Sequence, residues 1–289
     1  MRFLSFRVGR DEHFGAIVDE RVVDLSERMP EYPTLRHVLD AGALVRAQDV
    51  AVSASADFEL KDIDYLPTIP NARKIVCIGV NYPDRKPHAT AEGKLSDFPS
   101  VFMRTRDSLV GHGHDLLKAP EVEQLDYAGE IVVVIGREGR RIPEDDALDH
   151  VAGLTIMNEG SARDWMRRGD FNVTQGKNFE GSGSLGPWLV TRDECPPQEP
   201  LDLTTKVNGE LRQQASTRDL RFSFSFLVSY LSTFMRLTPG DLIATGTPGG
   251  TGDERDPPRY LEAGDTVTIE VSGIGVLQNT VAAEEPATR

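Results

Sequence analysis

From Lys74 onward, the chain is a series of short apolar runs separated by Gly, Pro and Asp. The runs are rich in β-branched residues and shorter than most helices, so each run indicates a β-strand. Helical spacing of apolar residues is clearest in only two segments, residues 161–168 and 226–234. We therefore predict a mixed α/β fold that is mainly β, with strands at residues 75–80, 131–135, 151–157, 242–245 and 267–271.

The first 68 residues form a separate pattern. Apolar and polar residues alternate at 3–8 and again at 16–18, and the polar residues 9–12 between them predict a hairpin turn. A short helix is expected at 34–43, because its apolar residues share one face and Gly42 marks its end. Pro67 and Pro70 then interrupt the pattern. We predict a small N-terminal domain at 1–68 and a larger domain at 69–289.

Charge excludes several classes of partner. The 289 residues include 32 Lys and Arg against 46 Asp and Glu, a net charge of -14 that repels nucleic acid and anionic membranes. A small carboxylate substrate remains compatible, because a bound cation can reverse the field inside one pocket. No run of about 18 apolar residues is present and charge interrupts the N-terminus early, so we expect a soluble cytoplasmic protein without a signal peptide.

Reactive side chains other than carboxylates have ordinary interpretations. Cys77 lies in an apolar run and Cys195 in a loop, so both are expected to be structural, and no disulfide framework is indicated. His112 and His114 flank a glycine, but no third nitrogen or sulfur ligand is nearby. A pair of loop histidines is therefore favoured over a zinc site.

Two glutamates stand where apolar runs meet polar segments. Glu130 opens the run at 131–135, and period-two geometry would put Asp126 and Ala128 on its face; Glu159 follows the run at 151–157. Two carboxylates at neighbouring strand ends would form an all-oxygen site of the kind that Mg²⁺ or Mn²⁺ prefers. The alternatives are a strand-end glutamate facing solvent and a metal-free pair between Arg163 and a carboxylate.

Four ordered blocks carry a resemblance to a known family: Asp-Tyr-Ala-Gly-Glu at 126–130, Asn-Glu-Gly-Ser-Ala-Arg-Asp at 158–164, Gly-Lys-Asn-Phe at 176–179 and Thr-Gly-Thr-Pro at 245–248. From residue 74 to about 281, the chain resembles the fumarylacetoacetate hydrolase family. The resemblance implies a β-roll catalytic domain beside a small N-terminal domain, and a homodimer. It also implies a metal-dependent hydrolase that cleaves a carbon-carbon bond in a 2,4-dioxo acid of the acylpyruvate type, in the catabolism of aromatic or sugar-acid compounds.

The resemblance assigns the metal site to positions 128, 130 and 159. The family usually carries Glu where Ala128 stands and Asp where Glu159 stands, whereas Glu130 matches. The expected cation is Mg²⁺ or Mn²⁺, with Ca²⁺ as an alternative. Whether the alanine is natural or introduced, a methyl group cannot coordinate a cation, so a weakened affinity is expected. Asp126 is not expected to be a direct ligand.

The resemblance also assigns catalytic and substrate-binding residues. His88 and Glu92 match a water-activating dyad, although they are four residues apart where the family has three, and a mobile charged loop is the alternative. Lys177 would contact the substrate carbonyl or carboxylate. The other expected substrate contacts are Tyr82, Arg104, Gln175, Gly246 and Thr247.

Two other functions stay open. A displaced dyad would favour a decarboxylase or isomerase that acts on a ring-cleavage 2-oxo acid with the same enolate chemistry and no attack by water. The alanine at position 128 would favour an inactive, binding-only homologue.

Overall fold

The computed structural model describes residues 1–85, 96–169 and 172–285. The described residues form nineteen strands, five α-helices and several short 3₁₀ helices. The strands are β1 (Arg2–Val8), β2 (Asp11–Val18), β3 (Arg21–Asp24), β4 (Phe58–Glu59), β5 (Asp64–Tyr65), β6 (Ile75–Ile78), β7 (Val101–Arg104), β8 (Leu109–Val110), β9 (Leu116–Lys118), β10 (Leu125–Asp126), β11 (Gly129–Ile135), β12 (Val151–Asn158), β13 (Ser161–Ala162), β14 (Gly183–Thr191), β15 (Asp202–Val207), β16 (Glu210–Ser216), β17 (Leu242–Ala244), β18 (Thr266–Val271) and β19 (Gly275–Ala283). The helices are α1 (Leu35–Asp40), α2 (Leu44–Ser53), α3 (Arg163–Arg167), α4 (Thr174–Lys177) and α5 (Phe224–Phe234).

A twelve-stranded sheet forms the centre of the molecule, in the order β4-β3-β2-β1-β14-β12-β11-β17-β6-β7, with β5 beside β1 and β8 beside β14. The N-terminal strands belong to this same sheet, because β1 pairs with β14 through Arg2 and Val190. The boundary between domains at residue 68 stays a prediction.

β11 and β12 lie at the middle of the sheet and are buried along their whole lengths. Both of their faces are covered by other parts of the protein, so neither face needs polar residues. This explains why their sequences are almost continuously apolar. They pair antiparallel, with Gly129 opposite Asn158. The start of β11 and the end of β12 therefore lie side by side, and both lead into polar residues.

A second sheet has the order β16-β15-β18-β19-β9, and β10 pairs separately with β13. Apolar side chains from the two larger sheets, from α5 and from the loops between them form one core cluster. A second cluster packs the N-terminal strands and helices α1 and α2 against the other face of the large sheet. No helix among the described residues is long and apolar enough to cross a membrane.

Most of the elements predicted from sequence are confirmed. The N-terminal hairpin is β1 and β2, and the five predicted strands correspond to β6, β11, β12, β17 and β18. The helix predicted at 34–43 is α1, which ends at Asp40, and the one predicted at 226–234 is α5. The helix predicted from residue 161 begins at Arg163, because Ser161 and Ala162 pair with β10 instead.

The prediction that Asp126, Ala128 and Glu130 share one face of a strand is wrong, because no continuous strand runs through residues 126–130. Asp126 ends β10 and pairs with Ser161, whereas β11 begins at Gly129 in the large sheet. Between them, the Ala128 N–H donates to the side-chain oxygen of Asn158 at the end of β12, in place of a backbone carbonyl. Period-two alternation is interrupted at this point, so Asp126 and Glu130 have different surroundings.

Candidate active site

Glu130 and Glu159 lie in one buried cluster at the adjoining ends of β11 and β12. Each side chain is 2% exposed. Gly246 follows β17, which pairs with β11, and its N–H donates to Oε2 of Glu130 at 2.8 Å. The Glu159 N–H donates to the Ala128 carbonyl at 2.8 Å, which ties the segment after β12 to the entrance of β11.

Two cations face Glu159. Arg104 Nη1 donates to its Oε1 at 2.6 Å, and Lys177 Nζ forms an ion pair with its Oε2. Lys177 comes from the short helix α4 and also donates to the Ser161 hydroxyl at 2.7 Å. The structure therefore brings together three predicted site residues, Glu130, Glu159 and Lys177, from separate elements.

Burial strengthens every charge interaction in this cluster. Desolvation, and then the charge of Glu159, raises the pKa of Glu130 to about 8, although the Gly246 N–H and the two cations oppose the change. Desolvation also lowers the pKa of Lys177, against the stabilising charge of Glu159. A cation bound beside Glu130 would favour the charged form of this buried carboxyl and oppose the rise in its pKa.

Arg104 lies at the end of β7 with its side chain fully buried. Besides Glu159, its Nη1 donates to the Gly160 carbonyl, and its Nε donates to the Ser108 hydroxyl. Its Nη2 donates to the Ser108 carbonyl and to the Ser182 hydroxyl. A guanidinium has five N–H groups, and these five contacts engage all of them. In this structure Arg104 holds Glu159; its predicted contact with substrate stays a prediction.

Asp126 belongs to a different buried pair. Its carboxylate accepts hydrogen bonds from Arg163 Nε at 2.9 Å and from the N–H groups of Gly252 and Asp253. The pair between Arg163 and a carboxylate that the sequence allowed is thus present, beside the glutamate site. It fixes the loop after Thr247 and commits the Asp126 carboxylate to these donors. The exclusion of Asp126 as a metal ligand stays a prediction.

Ala128 is 1% exposed and carries no oxygen beyond its backbone carbonyl, which Glu159 already uses. Asn158 accepts the Ala128 N–H through Oδ1, but its buried Nδ2 has no hydrogen-bond partner. Within the described ranges no group of three or more His, Cys, Asp or Glu could hold a metal. The two carboxylates are the type of ligand that a hard divalent cation prefers, with one ligand fewer than the resemblance implies, and a cation at Glu159 would share its oxygens with Arg104 and Lys177.

The remaining predicted substrate contacts are placed around this cluster. Tyr82 is 1% exposed, and burial followed by the charge of Glu130 raises its pKa. Gln175 is half-buried in α4, two residues before Lys177. The Thr247 hydroxyl donates to the Gly129 carbonyl at 2.9 Å, and the Gly246 N–H is used by Glu130. The predicted dyad, His88 and Glu92, lies outside the described residues.

Gln213 is the site residue that sequence reasoning missed. It is 1% exposed in β16, and its carboxamide contacts Gly129, Thr247 and Pro248. It is one of two consecutive glutamines in a strand with mostly exposed or half-buried residues, and nothing in the local pattern distinguishes it from Gln214. Only the packing of β16 beside the large sheet reveals its position.

Cys77 and the histidine pair have the surroundings expected of structural residues. Cys77 is buried in β6, and desolvation followed by the charges of Glu159 and Glu130 raises its pKa, so the thiol stays protonated. His112 Nδ1 accepts the Gln278 N–H at 3.1 Å.

Comparison with protein families identifies a match over most of the chain. Residues 74–282 match the model for the C-terminal domain of fumarylacetoacetate hydrolase. The oxaloacetate tautomerase YisK of Bacillus subtilis is 41% identical over 228 residues, which cover 78% of this chain and 75% of that protein. The mitochondrial oxaloacetate tautomerase of Xenopus laevis is 36% identical over 265 residues, 90% of this chain and 82% of that protein.

Solved structures share the fold along nearly the whole chain. Fumarylacetoacetate hydrolase from Exiguobacterium antarcticum superposes with a TM-score of 0.81 at 30% identity, covering 98% of this chain and 100% of that one. The 2-hydroxyhepta-2,4-diene-1,7-dioate isomerase from Mycobacterium marinum gives 0.76 at 28% identity, covering 99% and 100%. Maleylpyruvate hydrolase from Sphingobium sp. SYK-6, in complex with manganese(II) and pyruvate, gives 0.80 at 24% identity, covering 99% and 100%.

Proposed function

Because the chain belongs to the fumarylacetoacetate hydrolase family, we propose that it interconverts the keto and enol forms of a small 2-oxo dicarboxylic acid of the oxaloacetate type. The observation that carries the proposal is the buried meeting of Glu130, Glu159 and Lys177. Two relatives that cover more than three quarters of this chain are oxaloacetate tautomerases. Tautomerisation moves one proton between the carbon beside the 2-oxo group and the 2-oxo oxygen, through an enolate that must be stabilised, and needs no attack by water.

The charges in the cluster suit an anionic 2-oxo acid. Glu130 and Glu159 would hold Mg²⁺ or Mn²⁺, because their oxygens are the ligands that these cations prefer. When bound, such a cation would polarise the 2-oxo group and stabilise negative charge on the enolate oxygen. Lys177 is 5% exposed and is held in place by Glu159 and Ser161, so its ammonium group would bind the substrate carboxylate or the developing enolate in a site that excludes water.

The direct test is the decay of enol substrate in the presence of Mn²⁺, followed by its ultraviolet absorbance. Lys177→Met should lower kcat/KM about 100-fold, the size of effect seen when one donor to an oxyanion is removed. Lys61→Met is the matched control, since Lys61 is exposed in a 3₁₀ helix and should leave the rate unchanged. The proposal would be contradicted if folded wild-type protein does not accelerate tautomerisation, or if Lys177→Met is as fast as the wild type.

Hydrolysis of an acylpyruvate is the second candidate. It is favoured by the His88 and Glu92 pattern of the sequence, which resembles the water-activating dyad of the family's hydrolases. In isotopically labelled water, hydrolysis puts label into the carboxylic acid that leaves with pyruvate, whereas tautomerisation releases no fragment. If the protein releases pyruvate from an acylpyruvate faster than it converts the enol of the 2-oxo dicarboxylic acid, hydrolysis replaces tautomerisation as the proposed function.

A further inference from the structure

Gln213 lies on β16 of the five-stranded sheet, but every polar atom of its side chain is directed to the candidate site. Its Oε1 accepts the Gly129 N–H at 3.0 Å. Its Nε2 donates to the Thr247 hydroxyl at 2.8 Å and to the Pro248 carbonyl at 2.9 Å. The next residue along the strand, Gln214, is exposed.

These contacts close a ring of hydrogen bonds around the entrance of β11. The Thr247 hydroxyl accepts from Gln213 and donates to the Gly129 carbonyl at 2.9 Å, so both backbone polar groups of Gly129 are held. Glu130 follows Gly129 directly, and Gly246, which donates to the Glu130 carboxylate, precedes Thr247. The ring therefore fixes both partners of the contact between Gly246 and Glu130.

We propose that Gln213 is a positioning residue for Glu130. It holds the backbone before Glu130 and the turn after β17 at one separation, and thereby orients the carboxylate without touching substrate. The catalytic meaning of this role rests on the function proposed above, whereas the positioning itself does not. Through Gln213, the second sheet becomes part of the site.

The chemistry of the side chain matches the three contacts one for one. A carboxamide offers two N–H donors and a carbonyl acceptor. The Gly129 N–H needs the acceptor, and the Thr247 hydroxyl and the Pro248 carbonyl need the two donors. Glutamate would lack the donors, methionine would lack all three groups, and asparagine is one carbon shorter.

The first experiment measures hydrogen exchange of the Gly246 amide by NMR in Gln213→Met and in the matched control Gln214→Met. We expect hydrogen exchange of the Gly246 amide to become about tenfold faster in Gln213→Met. Without Gln213 the turn that contains Gly246 is no longer held in place, which weakens the hydrogen bond from its N–H to Glu130. The control should exchange as the wild type does. Unchanged protection at Gly246 in a folded Gln213→Met protein would overturn the proposal.

Thr247→Val provides a second route if Gln213→Met does not fold. It removes the hydroxyl from the same ring and should speed exchange at Gly246 in the same way. If both single variants fold, the double variant should exchange no faster than the stronger single one, because one ring is broken in each case. Exchange at Gly246 equal to that of the wild type in Thr247→Val would count against the ring.

Activity separates this inference from the proposed function. Gln213→Met should lower kcat about tenfold and change KM little, as expected when a residue that orients a metal ligand is lost. If the wild type lacks tautomerase activity but exchange at Gly246 responds as described, the proposed function fails and Gln213 remains a positioning residue. If the wild type is active and the Gln213 variant keeps both its kcat and its protection, only the positioning role fails.

Discussion

At the scale of single residues, Glu159 is held by several partners. Its two oxygens face Arg104 and Lys177, and its backbone N–H holds the carbonyl of Ala128. Glu130 has one hydrogen bond to the Gly246 N–H and a pKa raised to about 8 by burial and by Glu159. The two carboxylates are equally buried but have different partners.

Replacing the alanine at position 128 tests the predicted metal site directly. Ala128→Glu should bind Mn²⁺ at least about tenfold more tightly in titration calorimetry, because even an outer partner of a metal ligand is worth that much. Turnover of the 2-oxo acid should rise with it. Ala128→Gln, with nearly the same volume and no charge, is the control and should show little gain. If Ala128→Glu binds Mn²⁺ no more tightly than the wild type, a residue at position 128 does not complete the metal site.

The same variant addresses the binding-only alternative. If Ala128→Glu binds Mn²⁺ tightly but turns over neither enol substrates nor acylpyruvates, the chain is a homologue that binds without catalysis. If turnover appears only in this variant, the alanine alone accounts for the loss of activity.

At the scale of elements, the site depends on side chains that join the ends of strands. Arg104 at the end of β7 reaches Glu159 and Gly160 after β12, Ser108 before β8 and Ser182 before β14. One guanidinium therefore sets the relative positions of four elements. Asp126 does the same between β10, α3 and the loop at Gly252.

Removing this link should be costly. Arg104→Met would leave Glu159 buried with one cation fewer and several acceptors without donors, so we expect a loss of about 3–5 kcal/mol in the free energy of unfolding. Urea denaturation measures it. Arg106→Met is the control, because Arg106 is exposed two residues further on and its loss should stay within about 0.5 kcal/mol. A loss no larger in the Arg104 variant than in the control would contradict the structural role given to its buried contacts.

At the scale of the whole molecule, His112 makes one of the polar contacts between the two large sheets. It lies in the loop after β8, packs edge-on against Tyr65 at 4.9 Å between ring centroids, and accepts the N–H of Gln278 in β19. Burial, and then the charge of His114, lowers the pKa of His112. The folded protein therefore favours the neutral ring.

This shift predicts how stability changes with pH. The unfolded chain binds the proton more readily below about pH 6.5, whereas the folded protein resists it until the lower pKa of His112 is reached. The stability that His112 contributes is thus fully present above about pH 6.5 and is lost as the pH falls from there through the lower pKa of the folded protein. His112→Asn keeps an acceptor for Gln278 but does not titrate. Urea midpoints of the wild type should fall more steeply with decreasing pH than those of the variant; parallel curves would refute the prediction.

Local patterns in the sequence determined the strand content and singled out Glu130 and Glu159, whereas Lys177 was assigned through the resemblance to a family. Apolar runs, turn residues and short motifs are properties of neighbouring residues, so one sequence is enough to find them. Only the tertiary structure decided that Asp126 turns away from the site, that Arg104 serves Glu159 and that Gln213 reaches Gly129. Those contacts join residues 37, 55 and 84 positions apart. The physical reason is that the pairing of distant strands sets them, and no local pattern records which side chains that pairing brings together.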